Sequence, residues 1–95
     1  MFNVICIKNR IEMVRVPVYN VQIDIPSESD IVYVTVDENE SIWGWSQLPT
    51  ISLDISAWDS ASSRGLYLGT LAFSGDWKES LYEISDHFQD LLKSK

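Results

Sequence analysis

The side chains of this sequence with the greatest potential for chemistry are carboxylates close to its C-terminal end. Four of them stand at spacings of four, three and four residues: Glu79, Glu83, Asp86 and Asp90. On an α-helix, these positions fall within about 60° of one another. No lysine lies four residues from any of them to offset the repulsion between like charges. Such a row could bind lysine or arginine side chains of a partner, or imitate a row of phosphates; the alternative is an ordinary solvated helix face.

A second cluster combines acids with tryptophans. Asp37, Glu38 and Glu40 shortly precede Trp43 and Trp45, and a glycine separates the two indoles. Tryptophan is enriched at interface hot spots, and the nearby acids could pair with an arginine of a partner. The same rings could instead belong to the core, since aromatic side chains dominate protein interiors as well. A third interpretation is a platform on which a sugar ring stacks.

The sequence gives little support to catalysis or metal binding. His87 is the single histidine and is predicted at the edge of an apolar helix face, while Cys6, the single cysteine, lies in an apolar run. The chain has no Gly-x-Ser-x-Gly nucleophile elbow and no glycine-rich phosphate loop. One cysteine and one histidine also fall short of the ligands that a zinc site requires. We therefore expect no enzymatic activity, no metal and no cofactor.

The distribution of charge indicates what kind of partner to expect. Fourteen acidic and seven basic residues give a formal net charge of −7. Residues 16–63 hold eight of the carboxylates and neither lysine nor arginine. Because affinity for nucleic acid arises from basic side chains that displace counterions, direct binding to DNA or RNA is disfavoured. A protein with a basic surface is favoured, and that protein could itself be a nucleic-acid-binding enzyme.

Length and composition predict a single folded domain over residues 1–95. Hydrophobic residues make up 45% of the chain, which is typical of a globular protein. No apolar run approaches the length of a membrane helix, and residues 1–10 lack the features of a secretory signal. A lone cysteine fits a reducing compartment, so we expect a cytoplasmic protein. Met13 could serve as an alternative start.

Apolar alternation predicts strands over residues 4–7, 12–18, 19–25, 31–36, 42–46, 51–57 and 66–73. The apolar phase reverses after Val18, which requires a bulge or break near residues 17–18. Residues 31–36 are apolar on both faces, as in a central strand. The polar residues 37–40 predict a hairpin turn, and Gly69 could mark a bulge in the last strand.

The C-terminal segment changes to helical periodicity. Apolar residues recur at spacings of four, three, four and three, at Trp77, Leu81, Ile84, Phe88 and Leu91. Asp76 is the predicted N-cap, with Glu79 completing a capping box. The predicted fold is therefore α+β, a mostly antiparallel sheet of five or six strands with one C-terminal helix packed on one face.

Taken together, these features predict a non-enzymatic acidic protein that docks on a basic surface of a partner and blocks or regulates it. In size and charge, the chain is similar to phage-encoded inhibitors of host defence nucleases and to bacterial immunity proteins. Two alternatives stay open. One is an assembly subunit that oligomerises through sheet edges, for example as a homodimer. The other is a small-ligand or carbohydrate binder that uses Trp43 and Trp45.

Overall fold

The computed structural model describes residues 12–93. The secondary structure within that range, in chain order, is β1 (Met13–Val18), β2 (Val21–Pro26), β3 (Tyr33–Val36), β4 (Ser41–Trp45), β5 (Thr50–Ser52), β6 (Ala57–Asp59), β7 (Leu66–Thr70), a 3₁₀ helix (Trp77–Glu79), β8 (Tyr82–Glu83) and α1 (Asp86–Lys93). The strand predicted over residues 4–7, and with it Cys6, lies outside the described residues.

The described strands form three antiparallel sheets. These are the β1–β2 hairpin, the β5–β6 hairpin and a central sheet of four strands in the order β7-β4-β3-β8. The α+β class, the antiparallel pairing and the presence of one C-terminal helix are confirmed, but the single sheet of five or six strands is wrong. Pro26 ends β2 and Pro49 precedes β5. Since proline has no N–H to donate to a ladder, pairing does not run on through these connections.

The phase reversal after Val18 comes from a tight turn. Val18 pairs with Val21, so Tyr19 and Asn20 alone connect β1 to β2. Both turn residues have positive φ, 54° and 65°. This is the geometry of the two-residue turns that match strand twist. The predicted break therefore lies at residues 19–20, one step beyond the place where it was expected.

The central sheet has two chemically different faces. Val34, Val36 and Ile42 form its aliphatic face, and they belong to the core cluster that the β1–β2 hairpin and Leu92 of α1 complete. Because side chains alternate along a strand, Thr35 and Trp43 lie on the opposite face, together with Trp45. We call this opposite side the tryptophan face. The prediction that β3 is a central strand is confirmed, since it pairs with both β4 and β8.

The long C-terminal helix predicted from periodicity is wrong. Its residues form the 3₁₀ helix, the short strand β8 and α1. Tyr82 and Glu83 pair with the edge of β3 and supply it with backbone hydrogen bonds. In a helix, the same backbone groups would bond to one another instead. Asp76 is confirmed as an N-cap, of the 3₁₀ helix: its Oδ1 accepts from the Lys78 N–H at 3.0 Å.

The single strand predicted over residues 51–57 is also wrong. This segment forms β5, a four-residue turn and the start of β6, with Ile51 paired to Trp58. Leu53 and Ile55 lie in the turn and are 74% and 62% exposed rather than half-buried. Ser56 completes the turn with a positive φ of 52°. The alternation in the sequence was therefore not a sign of burial.

The bulge anticipated at Gly69 is confirmed. Ile42 of β4 pairs with Gly69, but the next residue, Trp43, pairs with Tyr67, so one residue of β7 is extra. Gly69 has a φ of 141°, which a residue with a side chain rarely adopts.

Candidate functional site

A cavity of about 290 Å³ opens on the tryptophan face of the central sheet. The β3–β4 hairpin forms one wall, the β5–β6 hairpin forms another, and the loop before β7 closes one side. Its lining residues are Asp37, Trp43, Trp45, Ile55, Ala57, Trp58, Asp59, Arg64 and Gly65. Three of the four tryptophans of the chain thus meet around one cavity, which we call the tryptophan pocket.

Asp37 is the buried charge of this pocket. It is 8% exposed, and its Oδ1 accepts a hydrogen bond of 2.9 Å from the backbone N–H of Trp58. Burial raises the pKa of the Asp37 carboxyl above its usual value, while the Trp58 N–H and the neighbouring Trp43 indole N–H act in the opposite direction. The indole nitrogen of Trp43 is also buried, but it makes no hydrogen bond to any group in the described range. The pocket therefore holds a buried carboxylate that accepts a hydrogen bond from the Trp58 N–H and lies near a buried indole N–H without a partner.

The buried indoles are fixed by hydrogen bonds at their far ends. Trp45 is 4% exposed, and its Nε1–H donates to Thr35 Oγ1 at 2.9 Å. Trp58 is 7% exposed, and its Nε1–H donates to the carbonyl of Trp77 at 3.1 Å. Both rings present a fixed surface to the cavity, because these bonds and the surrounding packing restrict their rotation.

The remaining wall is made by Trp43 and the loop before β7. The ring of Trp43 packs edge to face on Tyr67, with centroids 5.6 Å apart. Gly65 lies directly over two indoles: a Cβ there would stand 2.9 Å from Cη2 of Trp45 and 3.1 Å from Cε3 of Trp43. The absence of a side chain at this position thus keeps both rings in place. Arg64, next to it, is exposed and also lines the pocket.

The structure brings together part of the predicted acid and tryptophan cluster. Asp37, Trp43 and Trp45 all line the tryptophan pocket. Glu38 and Glu40 are exposed in the turn that follows Asp37 and lie outside the lining. Trp43 and Trp45 do not form an open platform together, because Trp45 is buried.

The C-terminal carboxylates do not form one helical row. Glu79 belongs to the 3₁₀ helix, Glu83 to β8, and only Asp86 and Asp90 share α1. All four are exposed. The row was predicted on the basis of one continuous helix. In the structure, Glu83 instead belongs to β8, which pairs with β3. That these acids contact a partner stays a prediction.

The described surface leaves most of its negative charge unneutralised. Between described residues, the ion pairs are Arg15 with Asp24 at 3.4 Å and Lys78 with Asp76 at 3.9 Å. All four side chains of these pairs are exposed, where an ion pair contributes little. Arg64 takes part in neither pair.

The other candidate groups contribute no further site. His87 is exposed, and its ring packs edge to face on Phe88. Within residues 12–93, no three histidine, cysteine or acidic side chains gather in a way that could hold a metal ion. In the same range, no helix has the length and apolar character needed to cross a membrane.

Sequence reasoning missed Trp58, Asp59 and Arg64 as members of the site. Trp58 and Asp59 lie in β6, just beyond the end of the strand predicted over residues 51–57, and Arg64 lies in the serine-rich segment that follows. The available signal was Trp58 itself, a large aromatic residue at the end of an alternating segment. Its position beside Asp37 depends on the turn at residues 53–56, which the alternation concealed.

Comparison of the chain with protein-family models, curated proteins and solved structures found no match.

Proposed function

We propose that this chain is a non-enzymatic, acidic binding protein that docks on a basic surface of a partner protein. The observation that carries the proposal is the charge of the chain and its distribution. Fourteen carboxylates stand against seven basic side chains, a net charge of −7, and residues 16–63 hold eight of the carboxylates with neither lysine nor arginine. Two exposed ion pairs neutralise few of these carboxylates. A surface of this kind attracts a basic partner from a distance and repels nucleic acid.

The tryptophan pocket supplies the contact that steering charges alone do not provide. Long-range attraction raises the rate of encounter, but affinity comes mainly from a few desolvated anchors. The pocket offers aromatic surface around a buried carboxylate, and the exposed acids Glu38 and Glu40 follow that carboxylate in the chain. Partner binding is therefore proposed to centre on Asp37, Trp43 and Trp45, with Glu79, Glu83, Asp86 and Asp90 acting as steering charges. By analogy of size and charge, the partner is proposed to be an enzyme that the chain inhibits in the cytoplasm.

The experiment that tests this function measures how binding depends on salt. The immobilised full chain captures proteins from a lysate of its native host, and each purified candidate is titrated at about 50 and about 500 mM salt. We expect a basic partner whose Kd rises at least about tenfold at the higher salt concentration. A Kd that is the same at both concentrations would overturn the proposal.

Two charge variants locate the steering acids. One combines Glu79→Gln, Glu83→Gln, Asp86→Asn and Asp90→Asn; the other combines Glu38→Gln and Glu40→Gln. We expect both to slow association and to leave the fold intact, since these side chains are exposed. If neither changes the association rate, the acids are only solvated surface.

A second candidate function, assembly through a sheet edge, has one specific observation in its favour. Among the strands of residues 12–93, β7 lies at one edge of the central sheet, and its Leu66 and Tyr67 are exposed. An edge strand with apolar side chains is a template for pairing with another chain. Light scattering over a range of protein concentrations tests this function, with Tyr67→Lys as the disrupting variant. A molar mass that stays monomeric at all concentrations excludes it.

A further inference from the structure

The chemistry of the tryptophan pocket defines the charge of a suitable ligand. Its lining includes two carboxylates, Asp37 and Asp59, and one guanidinium, Arg64, which gives the lining a net charge of −1. A group with a single positive charge would neutralise it. An anion would instead have to enter beside two carboxylates, one of them buried.

The indole rings further restrict what kind of cation fits. A cation is attracted to the electron-rich face of an indole, and this attraction is larger where water is excluded. A primary ammonium is compact and strongly hydrated, so moving it against aromatic walls costs more hydration than moving a guanidinium. A guanidinium is planar, stacks on aromatic faces and donates to carboxylate oxygens. The combination of indole walls with the Asp37 carboxylate thus fits arginine better than lysine.

We propose that the tryptophan pocket binds the guanidinium group of an arginine side chain presented by the partner. In this arrangement, the guanidinium packs against the indoles of Trp43 and Trp58 and donates a hydrogen bond to the carboxylate of Asp37. The inference rests on the proposed function, docking on a basic surface, and names the anchoring contact of that docking. It accounts for a buried carboxylate surrounded by aromatic rings, a combination that core packing alone does not require.

A substitution of Arg64 can distinguish a positively charged ligand from a negatively charged one. Arg64 is one of the residues that line the cavity, so its positive charge opposes the entry of a second cation. Removal of this charge with Arg64→Gln should strengthen the binding of an arginine side chain. For an anionic ligand, or a sugar that accepts hydrogen bonds from Arg64, the same substitution should weaken binding. The two classes of ligand therefore give opposite results with one variant.

The test uses the full ¹⁵N-labelled chain and three short peptides. The probe is acetyl-Gly-Arg-Gly-amide; the comparison peptides carry citrulline, the neutral isostere of arginine, or lysine at the central position. Binding is followed through the four indole N–H signals in a two-dimensional NMR spectrum. We expect the arginine peptide to shift the signals of Trp43 and Trp58 saturably. The citrulline peptide should bind at least about tenfold more weakly, and the lysine peptide several-fold more weakly.

Three variants make the result specific to the pocket. Asp37→Asn keeps the Oδ1 that accepts from Trp58 but removes the charge, and it should weaken binding of the arginine peptide at least about tenfold. Asp30→Asn removes the same charge from the exposed segment between β2 and β3, outside the pocket lining, and should change the Kd by less than about twofold. Arg64→Gln should strengthen binding by about twofold or more.

Several results would overturn the inference. These are equal affinity for the arginine and citrulline peptides, an unchanged Kd in folded Asp37→Asn, or weaker binding in Arg64→Gln. Tighter binding of tetramethylammonium than of the arginine peptide would likewise exclude a guanidinium site. If Asp37→Asn fails to fold, the peptide comparison on the unaltered chain still decides. Failure of these tests leaves salt-dependent docking on a basic partner standing, whereas failure of the salt experiment alone leaves the arginine site standing.

Discussion

The hydroxyl of Ser80 occupies the place of a strand partner for Val36. Ser80 Oγ accepts from the Val36 N–H at 2.9 Å and donates to the Val36 carbonyl at 3.1 Å. Both residues are buried, and they are separated by 44 positions in the chain. The side chain thus satisfies the two backbone groups of β3 that lie beyond the short pairing with β8.

The substitution Ser80→Ala tests this relationship. It leaves the N–H and the carbonyl of Val36 buried without their partner, and each such group costs about 1–3 kcal/mol. We expect the free energy of unfolding, measured by urea denaturation, to fall by about 2–4 kcal/mol. Ser74→Ala, at an exposed serine, is the control and should change it by less than about 0.5 kcal/mol. A small effect at Ser80 would mean that water replaces the lost hydroxyl.

Tyr19 joins the same region from the opposite side. Its single hydroxyl proton is shared between the carbonyls of Val34 and Ser80, and its ring packs edge to face on Phe73 and Tyr82. Burial is the main cause that raises the pKa of this hydroxyl above that of a free tyrosine. We expect Tyr19→Phe to lower the free energy of unfolding at pH 7 by about 1–2 kcal/mol, since two buried carbonyls lose their donor.

The dependence on pH follows from the direction of this shift. A raised pKa in the folded state means that the neutral hydroxyl stabilises the fold below the pKa of the unfolded chain, about 10. This contribution is lost as the pH rises toward the folded-state pKa, because the unfolded chain ionises first. The advantage of the natural protein over Tyr19→Phe should therefore be constant between about pH 6 and 9 and shrink above about pH 10. Chemical denaturation at each pH measures it, with Tyr67→Phe as the matched control. An advantage that persists unchanged in alkali would contradict the assignment.

The relation between Ser80 and Val36 also explains why the C-terminal helix was mispredicted. The spacing of Trp77, Leu81 and Ile84 is helical, but the backbone of β3 needs hydrogen-bond partners on the side that faces away from β4. The residues that satisfy this need come from more than forty positions away, and no local pattern reports them. Hairpins with short turns, in contrast, carry their signals locally. The turn after Asp37 and the bulge at Gly69 could therefore be predicted.

The residues of the tryptophan pocket likewise divide into those that are close in sequence and those that are distant. Asp37, Trp43 and Trp45 lie within nine residues and share one hairpin, so their proximity was visible in the sequence. Trp58 and Arg64 belong to other segments, and they reach the pocket only because the β5–β6 hairpin folds over the tryptophan face. Sequence alternation at residues 51–57 resembled a single strand, which hid the turn that makes this possible.

Glu40 adopts a backbone conformation that favours glycine. It is the last of the four residues that connect β3 to β4 and has a φ of 71°. A side chain in this conformation costs about 1 kcal/mol. We expect Glu40→Gly to raise the free energy of unfolding by up to about 1 kcal/mol, and to weaken docking if Glu40 steers a partner. Thermal and urea denaturation measure the first effect. Glu38→Gly, in the same loop but without positive φ, should instead lower stability by about 0.5–1 kcal/mol.

Gly44 permits close packing between β4 and the segment before β3. A Cβ at this position would stand 2.7 Å from Cδ1 and 3.0 Å from Cγ2 of Ile31, which is buried. We expect Gly44→Ala to cost about 1–3 kcal/mol, because the core must shift to admit a methyl group. The double variant with Ile31→Val removes the nearest atom and should recover part of the loss. Additive effects in the double-mutant cycle would show that the two residues do not interact.

Asp37 should weaken the fold that it belongs to. Burial raises the pKa of its carboxyl, so the unfolded chain ionises at lower pH than the folded protein. Below the pKa of the unfolded chain, about 4, the carboxyl is neutral in both states and no stability is lost. As the pH rises through the folded-state pKa, the folded state must accept a buried charge, and stability falls.

The variant Asp37→Asn keeps the acceptor for the Trp58 N–H and removes that charge. We expect it to unfold at higher urea concentration than the natural protein at pH 7, and at an equal concentration near pH 3. A variant that is more stable but binds the arginine peptide more weakly would establish that Asp37 is retained for binding. Lower stability at pH 7 would instead assign the carboxylate a purely structural role, because its hydrogen bonds would then outweigh the loss of hydration.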